Sequence, residues 1–347
     1  MSRKLKAGAA AVSLVAVGSL TLAACGGSSG ASGSSGSSGS KSVSVVGFSI
    51  LEQANKKVIA DFQKTADGKG VAFQQSYGAS GDQSRAVLGG QKADLVHLSL
   101  EPDVAKLADA KLVSPDWKKT PTKGILTQSV VVIGVRKGNP KKIHGWDDLI
   151  KPGVKIITPN PASSGSAKWN ILAAYGHVLA NGGSASDASA YLKKFFGNVA
   201  ALPGSGRDAT TSFTSGNGDV LLSYENEAIL ARQSGADFDY VVPDQDLLIQ
   251  NPGTVTTKAS PSAKSFLTFL TGKEAQTDYA EEGFRPLVSG INVPVKGAND
   301  PNNPFPTPSK LLTIDKDFGG WDQANTKFFD EKTGIVTKIQ AETGKTG

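Results

Sequence analysis

Cysteine is almost absent: Cys25 is the single Cys in 347 residues. No disulfide can form within the chain, so the fold must rest on its core. Histidine is scarce as well, with His97, His144 and His177 the three present. That leaves too few Cys and His for a metal cluster, and no Asp/Glu spacing suggests a carboxylate-built site. The histidines offer little to catalysis. His97 falls inside a strand-like run, His144 in a Pro/Lys-rich loop, and His177 about three turns into a helix. No Walker-type phosphate loop is present. A Gly-x-Ser-x-Gly pattern at Gly26, Ser28 and Gly30 lies in a Gly/Ser tract where no nucleophile elbow forms. The turn around Ser80 lacks the second Gly of that motif and has Asp82 instead. No enzyme, cofactor or metal is expected.

What is present starts at the N-terminus. Arg3, Lys4 and Lys6 precede an apolar run over 7–22 that is too short to span a bilayer. The run closes on Leu22-Ala23-Ala24-Cys25 and reads as an export signal over 1–24. The closing tetrad resembles a bacterial lipobox, whose Cys carries lipid and becomes the first mature residue. The rival reading is an ordinary signal in which the Cys is incidental. Residues 26–40 are Gly and Ser with one Ala. Such a tract buries no apolar surface and reads as a tether over 25–41. Removing 1–24 takes away Arg3, Lys4 and Lys6 and no acid, so the formal charge falls from +6 to +3. The excess is mild and spread out, so no nucleic-acid partner is expected. A monomer is.

Beyond the tether, strand-like and helix-like segments alternate. Strands are predicted over 43–46, 94–98, 129–135, 154–158, 219–223 and 240–242. Helices are predicted over 52–65, 103–110, 167–180, 262–270 and 274–281. Ser49, three residues before Glu52, has capping-box spacing. The alternation predicts an α/β fold with mainly parallel pairing. A Pro/Asn-rich stretch over 299–308 should be irregular, with order returning over 311–314 and 322–339.

Three Gly/Ser-rich turns stand out. They are Tyr77-Gly78-Ala79-Ser80-Gly81-Asp82, Asn160-Pro161-Ala162-Ser163-Ser164-Gly165-Ser166 and Gly204-Ser205-Gly206-Arg207-Asp208. Each follows a strand-like run and opens a helix. Free N–H groups and hydroxyls at the positive end of a helix dipole form an anion site. In open α/β sheets ligands bind at such strand-to-helix junctions. The bland alternative, that Gly and Ser merely cap helices, weakens when three turns agree.

The segments around those turns carry a family resemblance. They include Gln75-Ser76-Tyr77-Gly78-Ala79-Ser80-Gly81-Asp82, Val135-Arg136-Lys137-Gly138-Asn139-Pro140 and His144-Gly145-Trp146-Asp147-Asp148-Leu149. Ile157-Thr158-Pro159-Asn160-Pro161 through Trp169-Asn170, Glu225-Asn226-Glu227-Ala228 and Phe318-Gly319-Gly320-Trp321 continue it. Residues 72–339 resemble the sulfate-binding proteins of bacterial ABC import systems, which implies the two-lobed type II periplasmic binding-protein fold, with mainly parallel sheets flanked by helices and a hinge of crossing strands.

The resemblance implies a sulfate held between two lobes by hydrogen-bond donors with no cationic side chain touching it. Its partners would be the transmembrane subunits of an ABC permease, reached extracytoplasmically from a membrane anchor on Cys25. Carried over by position, the donors are Ser80 and Gly81, Ser164, Gly165 and Ser166, and Gly206. Tyr224 stands where the family has a Trp indole, and Ser49 and Arg207 are further candidates. Lobe one is expected over 42–126, lobe two over 127–249, and a return to lobe one with a C-terminal extension over 250–347. Asp82 and Asp208 flank two of the turns where the family often has Lys, Ala or Gly. They either face solvent or accept a proton from a phosphate-like ligand. Thiosulfate, phosphate and molybdate are the alternative ligands.

Overall fold

The computed structural model describes residues 41–346. The export signal, Cys25 and the Gly/Ser tract lie outside the described residues.

The chain opens with β1 (Ser42–Phe48), α1 (Leu51–Phe62), β2 (Ala72–Gly78), α2 (Ser80–Leu88), β3 (Leu95–His97) and α3 (Glu101–Asp109). β1 lies between β2 and β3 and is parallel to both. α1 forms because Leu51, Ala54, Val58 and Phe62 recur at helical spacing, and all four are buried. Its cap differs from expectation. Ile50 takes the N-cap position with no side-chain cap bond, and the Ser49 hydroxyl is engaged elsewhere.

β4 (Ile125–Arg136) then leaves this half. It leads to β5 (Ile156–Ile157), α4 (Gly165–Ala180), α5 (Ala185–Asn198), β6 (Val199–Ala201), α6 (Gly206–Thr214), β7 (Val220–Tyr224), α7 (Glu225–Gln233) and β8 (Phe238–Val241). β5 lies between β6 and β7, parallel to both. α5 is started by a capping box: Ser184 Oγ accepts from the Asp187 N–H at 3.2 Å, and Asp187 Oδ2 accepts from the Ser184 N–H at 2.8 Å.

β9 (Gln245–Val255) returns. It pairs antiparallel with β4 over Pro252 to Leu248 and with β3 at its far end. β4 in turn pairs antiparallel with β7 and β8. Pairing is thus parallel within each half and antiparallel where β4 and β9 cross between them. The strand order is β2-β1-β3-β9-β4-β7-β5-β6.

α8 (Pro261–Leu270) and α9 (Lys273–Glu281) pack on α1. The Pro/Asn-rich stretch is irregular. β10 (Lys310–Leu312), α10 (Ile314–Asp317), α11 (Trp321–Ala324) and α12 (Ile335–Thr343) complete the chain. This tail lies along the second half: β10 pairs with β9 near Leu247, and α12 packs on α5. Trp321 meets Trp169 of α4 edge to face at 4.8 Å between ring centroids. Coverage by α5, β9 and β10 explains why α4 is buried along its first three turns and not on one stripe alone.

One buried ion pair joins the halves. Arg285, just after α9, donates through Nε to Glu225 Oε2 at 2.6 Å and through Nη2 to Glu225 Oε1 at 2.9 Å. Glu225 opens α7 and is fully buried. Burial pushes its pKa up to about 7, and the Arg285 charge restrains the rise. Breaking such a pair from one side typically costs about 3–5 kcal/mol. Arg285→Ala is expected to lose stability on that scale in urea unfolding. Without the guanidinium, Glu225 is raised further, so the folded state holds an extra proton above the unfolded carboxyl's range. Stability then falls as pH rises through that window. The variant's deficit should therefore widen from pH 5 to pH 8; a deficit that shrinks would contradict this account.

Candidate anion-binding site

Five strand-to-helix junctions meet at one small cavity. It is lined by Phe48, Ser49 and Ile50 before α1, Ala79 and Ser80 at α2, and Ser99 before α3. Ser164, Gly165 and Ser166 at α4 and Gly206 at α6 complete the wall. The enclosed space is about 10 Å³, close to that of a single water. No charged side chain among the described residues lines it. The first-turn N–H groups of a helix have no partner within the helix, and they carry the positive end of its dipole. A cavity at several such ends favours an anion without any cationic side chain. A larger cavity of about 180 Å³, lined by Pro286, Val293, Pro304 and Phe305 among others, lies away from these helix starts.

The expected residues fall into two groups. Ser49, Ser80, Ser164, Gly165, Ser166 and Gly206 line the cavity together. Gly165 and Ser166 are the first two residues of α4, and Gly206 is the first of α6. Ser166 Oγ is buried and has no hydrogen-bond partner among the described residues. The Ser80 hydroxyl is committed: it donates to Asp103 Oδ2 at 2.7 Å and accepts from the Ser99 N–H at 2.9 Å. What Ser80 has left to offer is its own N–H at the start of α2.

Gly81, Arg207 and Tyr224 are not in the wall. The Gly81 N–H donates to the Ser163 carbonyl at 3.1 Å, across from one half to the other. The Arg207 N–H donates to Ser49 Oγ at 3.4 Å, and its guanidinium turns to Glu227 Oε2 at 2.9 Å. Glu227 is buried, which pushes its pKa up to about 7 against the restraining Arg207 charge. Tyr224 is fully buried, and burial holds its phenol protonated. Its Oη lies 2.7 Å from Ser99 Oγ, so it stands one residue behind the cavity.

The two flanking acids also point elsewhere. Asp82 pairs with Arg85 on the surface. Asp208 Oδ2 accepts from Ser205 Oγ at 2.8 Å, while the Asp208 N–H donates back to Ser205 Oγ at 3.1 Å. Neither lines the cavity.

Ser99 is the polar wall residue that sequence reading did not single out; the apolar Phe48 and Ile50 were not named either. Ser99 lies between a strand predicted over 94–98 and a helix predicted from 103. A signal was available in Pro102, a residue suited to the first turn of a helix that here begins at Glu101.

Comparison with known proteins places this geometry. The sequence profile of bacterial extracellular solute-binding proteins matches residues 43–285. The chain belongs to that family. It is 39% identical over 332 residues to a sulfate-binding protein of Synechococcus elongatus, covering 92% of each chain. It is 34% identical to a thiosulfate-binding protein of Pseudomonas aeruginosa, covering 82% of this chain and 88% of the other. The structure superposes on the sulfate-binding protein SubI from Mycobacterium tuberculosis with a TM-score of 0.78 and 42% identity. That match covers 84% of this chain and all of the other. The fold of this solute-binding protein is therefore the two-lobed periplasmic binding-protein fold, α/β with helices flanking the sheet.

Close packing makes one glycine indispensable to the wall of this solute-binding protein. A Cβ on Gly165 would lie 2.5 Å from Ser99 Oγ, 2.7 Å from Ser99 Cβ and 2.8 Å from Leu100 Cγ. Relief requires α4 to move away from the β3–α3 junction, and overpacking of this kind typically costs about 1–3 kcal/mol. Gly165→Ala is expected to lower stability on that scale and to impair anion binding more than any change at the exposed Asp82. Unfolding curves and anion titrations of the two variants check this. Parental behaviour of Gly165→Ala in both would rule it out.

Proposed function

We propose that this chain is an extracytoplasmic lipoprotein receptor that captures sulfate between two lobes and delivers it to an ABC permease, without catalysis. The observation that carries the reading is the cavity where five strand-to-helix junctions meet, walled by Ser, Gly and apolar residues and by no charged side chain. The sulfate-binding relatives support the ligand. Sulfate is an acceptor only at neutral pH, and a wall of N–H and O–H donors suits it. Hydrogen phosphate keeps a proton that needs an acceptor. Leaving a buried polar group unpaired costs about 1–3 kcal/mol, and Asp82 and Asp208 lie outside the wall. Thiosulfate is the second reading, favoured by the likeness to the Pseudomonas aeruginosa protein.

Lobe one in this reading comprises 42–126 and the return from 250, and lobe two comprises 127–249. The tail over 310–343 would be an extension laid along lobe two. Contacts from both lobes to one ion give the closed form its higher affinity, and that difference drives closure.

Binding to the folded form alone stabilises it by mass action. The melting temperature of anion-stripped protein should rise with sulfate concentration. Calorimetric titration should rank sulfate or thiosulfate well above phosphate and molybdate. A flat melting response across millimolar sulfate and thiosulfate would sink the receptor reading.

The anchor rests on Leu22-Ala23-Ala24-Cys25 followed by a Gly/Ser tract. Cys25→Ala is expected to move the protein from the membrane fraction to the soluble extracytoplasmic fraction with unchanged anion affinity. Retention in the membrane fraction would exclude the lipid on Cys25.

A further inference from the structure

We propose that the Ser99 hydroxyl is itself an anion donor, and that Tyr224 and Asn251 are positioning residues that keep its proton turned to the cavity. The proposal rests on the oxyanion-receptor reading above and adds a residue and a direction to it.

Ser99 is 1% exposed and lines the cavity. Its backbone is fixed by three bonds: its N–H donates to Ser80 Oγ at 2.9 Å, and its carbonyl accepts from Trp169 Nε1 at 3.0 Å and Asn251 Nδ2 at 3.1 Å. Its side-chain oxygen lies 2.7 Å from Tyr224 Oη, where either group could donate. Asn251 decides which. Its Nδ2 also reaches Tyr224 Oη, at 3.4 Å. An amide turned the other way would set Oδ1 against the Ser99 carbonyl, acceptor against acceptor. The Ser99 carbonyl therefore fixes the amide with Nδ2 toward Tyr224.

Tyr224 Oη accepts from Asn251 and has one proton of its own, which goes to Ser99 Oγ. Ser99 Oγ accepts that proton, and its own hydrogen has no protein acceptor among the described residues. The cavity it lines is where that hydrogen is directed.

The order extends behind Asn251. Thr127 Oγ1 donates to Asn251 Oδ1 at 3.3 Å and so accepts from His97 Nε2 at 3.1 Å. Burial lowers the His97 pKa to about 3, so the ring is neutral; because Thr127 spends its hydrogen on Asn251, the ring proton lies on Nε2. Each donor in the row from His97 through Thr127, Asn251 and Tyr224 to Ser99 points the same way. Polarisation along such a row strengthens the terminal donor. That donor is also well placed. The contact with Gly165 sets Ser99 Oγ against the first residue of α4, beside any anion held by that helix start.

The test is calorimetric titration of full-length, detergent-solubilised, anion-stripped protein with sulfate, repeated with thiosulfate. The panel is the parent, Ser99→Ala, Ser99→Cys, Tyr224→Phe and the double variant Ser99→Ala/Tyr224→Phe. Losing a hydrogen bond to a charged group predicts about 10–100-fold weaker binding in Ser99→Ala. Ser99→Cys keeps the shape with a weak donor, so it should lose nearly as much while melting like the anion-free parent. Tyr224→Phe should lose less, about 3–10-fold, because the Ser99 hydroxyl remains but is free to turn. In the Ser99→Ala background, Tyr224→Phe should add nothing. Parental affinity in both Ser99 variants would overturn the donor assignment while leaving the receptor reading intact. Additive losses in the double variant would place Tyr224 on the anion directly and overturn the relay. A parent that binds neither anion would overturn the receptor reading, and this proposal with it.

Discussion

A helix cannot satisfy the N–H groups of its own first turn, and the arrangement of this protein follows from where it leaves those groups. Strands in both halves run toward one cavity, so the helices that follow begin there. The glycines at 165 and 206 open α4 and α6 at the wall. Serines fill much of the remainder, bringing hydroxyls without bulk or charge. The resulting field is positive yet built entirely from dipoles. Each dipole is fixed by a backbone that the core holds rigid, so the donors are already oriented before an anion arrives.

The crossing strands do more than connect. β4 and β9 carry Thr127 and Asn251, whose side chains link His97 in one half to Tyr224 in the other. The Arg285–Glu225 pair ties the same halves a short distance along the chain from Tyr224. Thr127, Asn251, Tyr224, Arg285 and Glu225 all find partners at this junction, although His97 Nδ1 and the Asn226 side-chain amide have none among the described residues. Under the proposed relay, the junction is part of the site's electrostatics as well as its mechanical frame.

Much of this was legible in the residues. Apolar spacing marked the main helices, and the strand-turn-helix pattern around Ser80, Ser164 and Gly206 picked out three of the five junctions. Ser49 marked a fourth, though its capping-box spacing was misleading: Ile50 became the cap and the hydroxyl met Arg207 instead. Crossing strands between the lobes were expected from the family resemblance, but the antiparallel pairing of β4 and β9 was hidden, because a buried strand reads as a continuous apolar run whichever way its neighbours face. Ser99 was hidden for a different reason. Its importance comes from residues 125 and 152 positions away in sequence, and no local spacing encodes such a meeting. Gly81 illustrates the converse. A favourable position at a helix start did not make it a wall residue, since its N–H is taken by a carbonyl from the opposite half.

That bond, and its counterpart between Arg207 and Ser49, have a kinetic consequence. Both span the two halves beside a space little larger than one water. In the proposed receptor both bonds belong to the closed form, so weakening either would favour parting of the halves and shorten an ion's dwell even if the ion's own contacts were untouched.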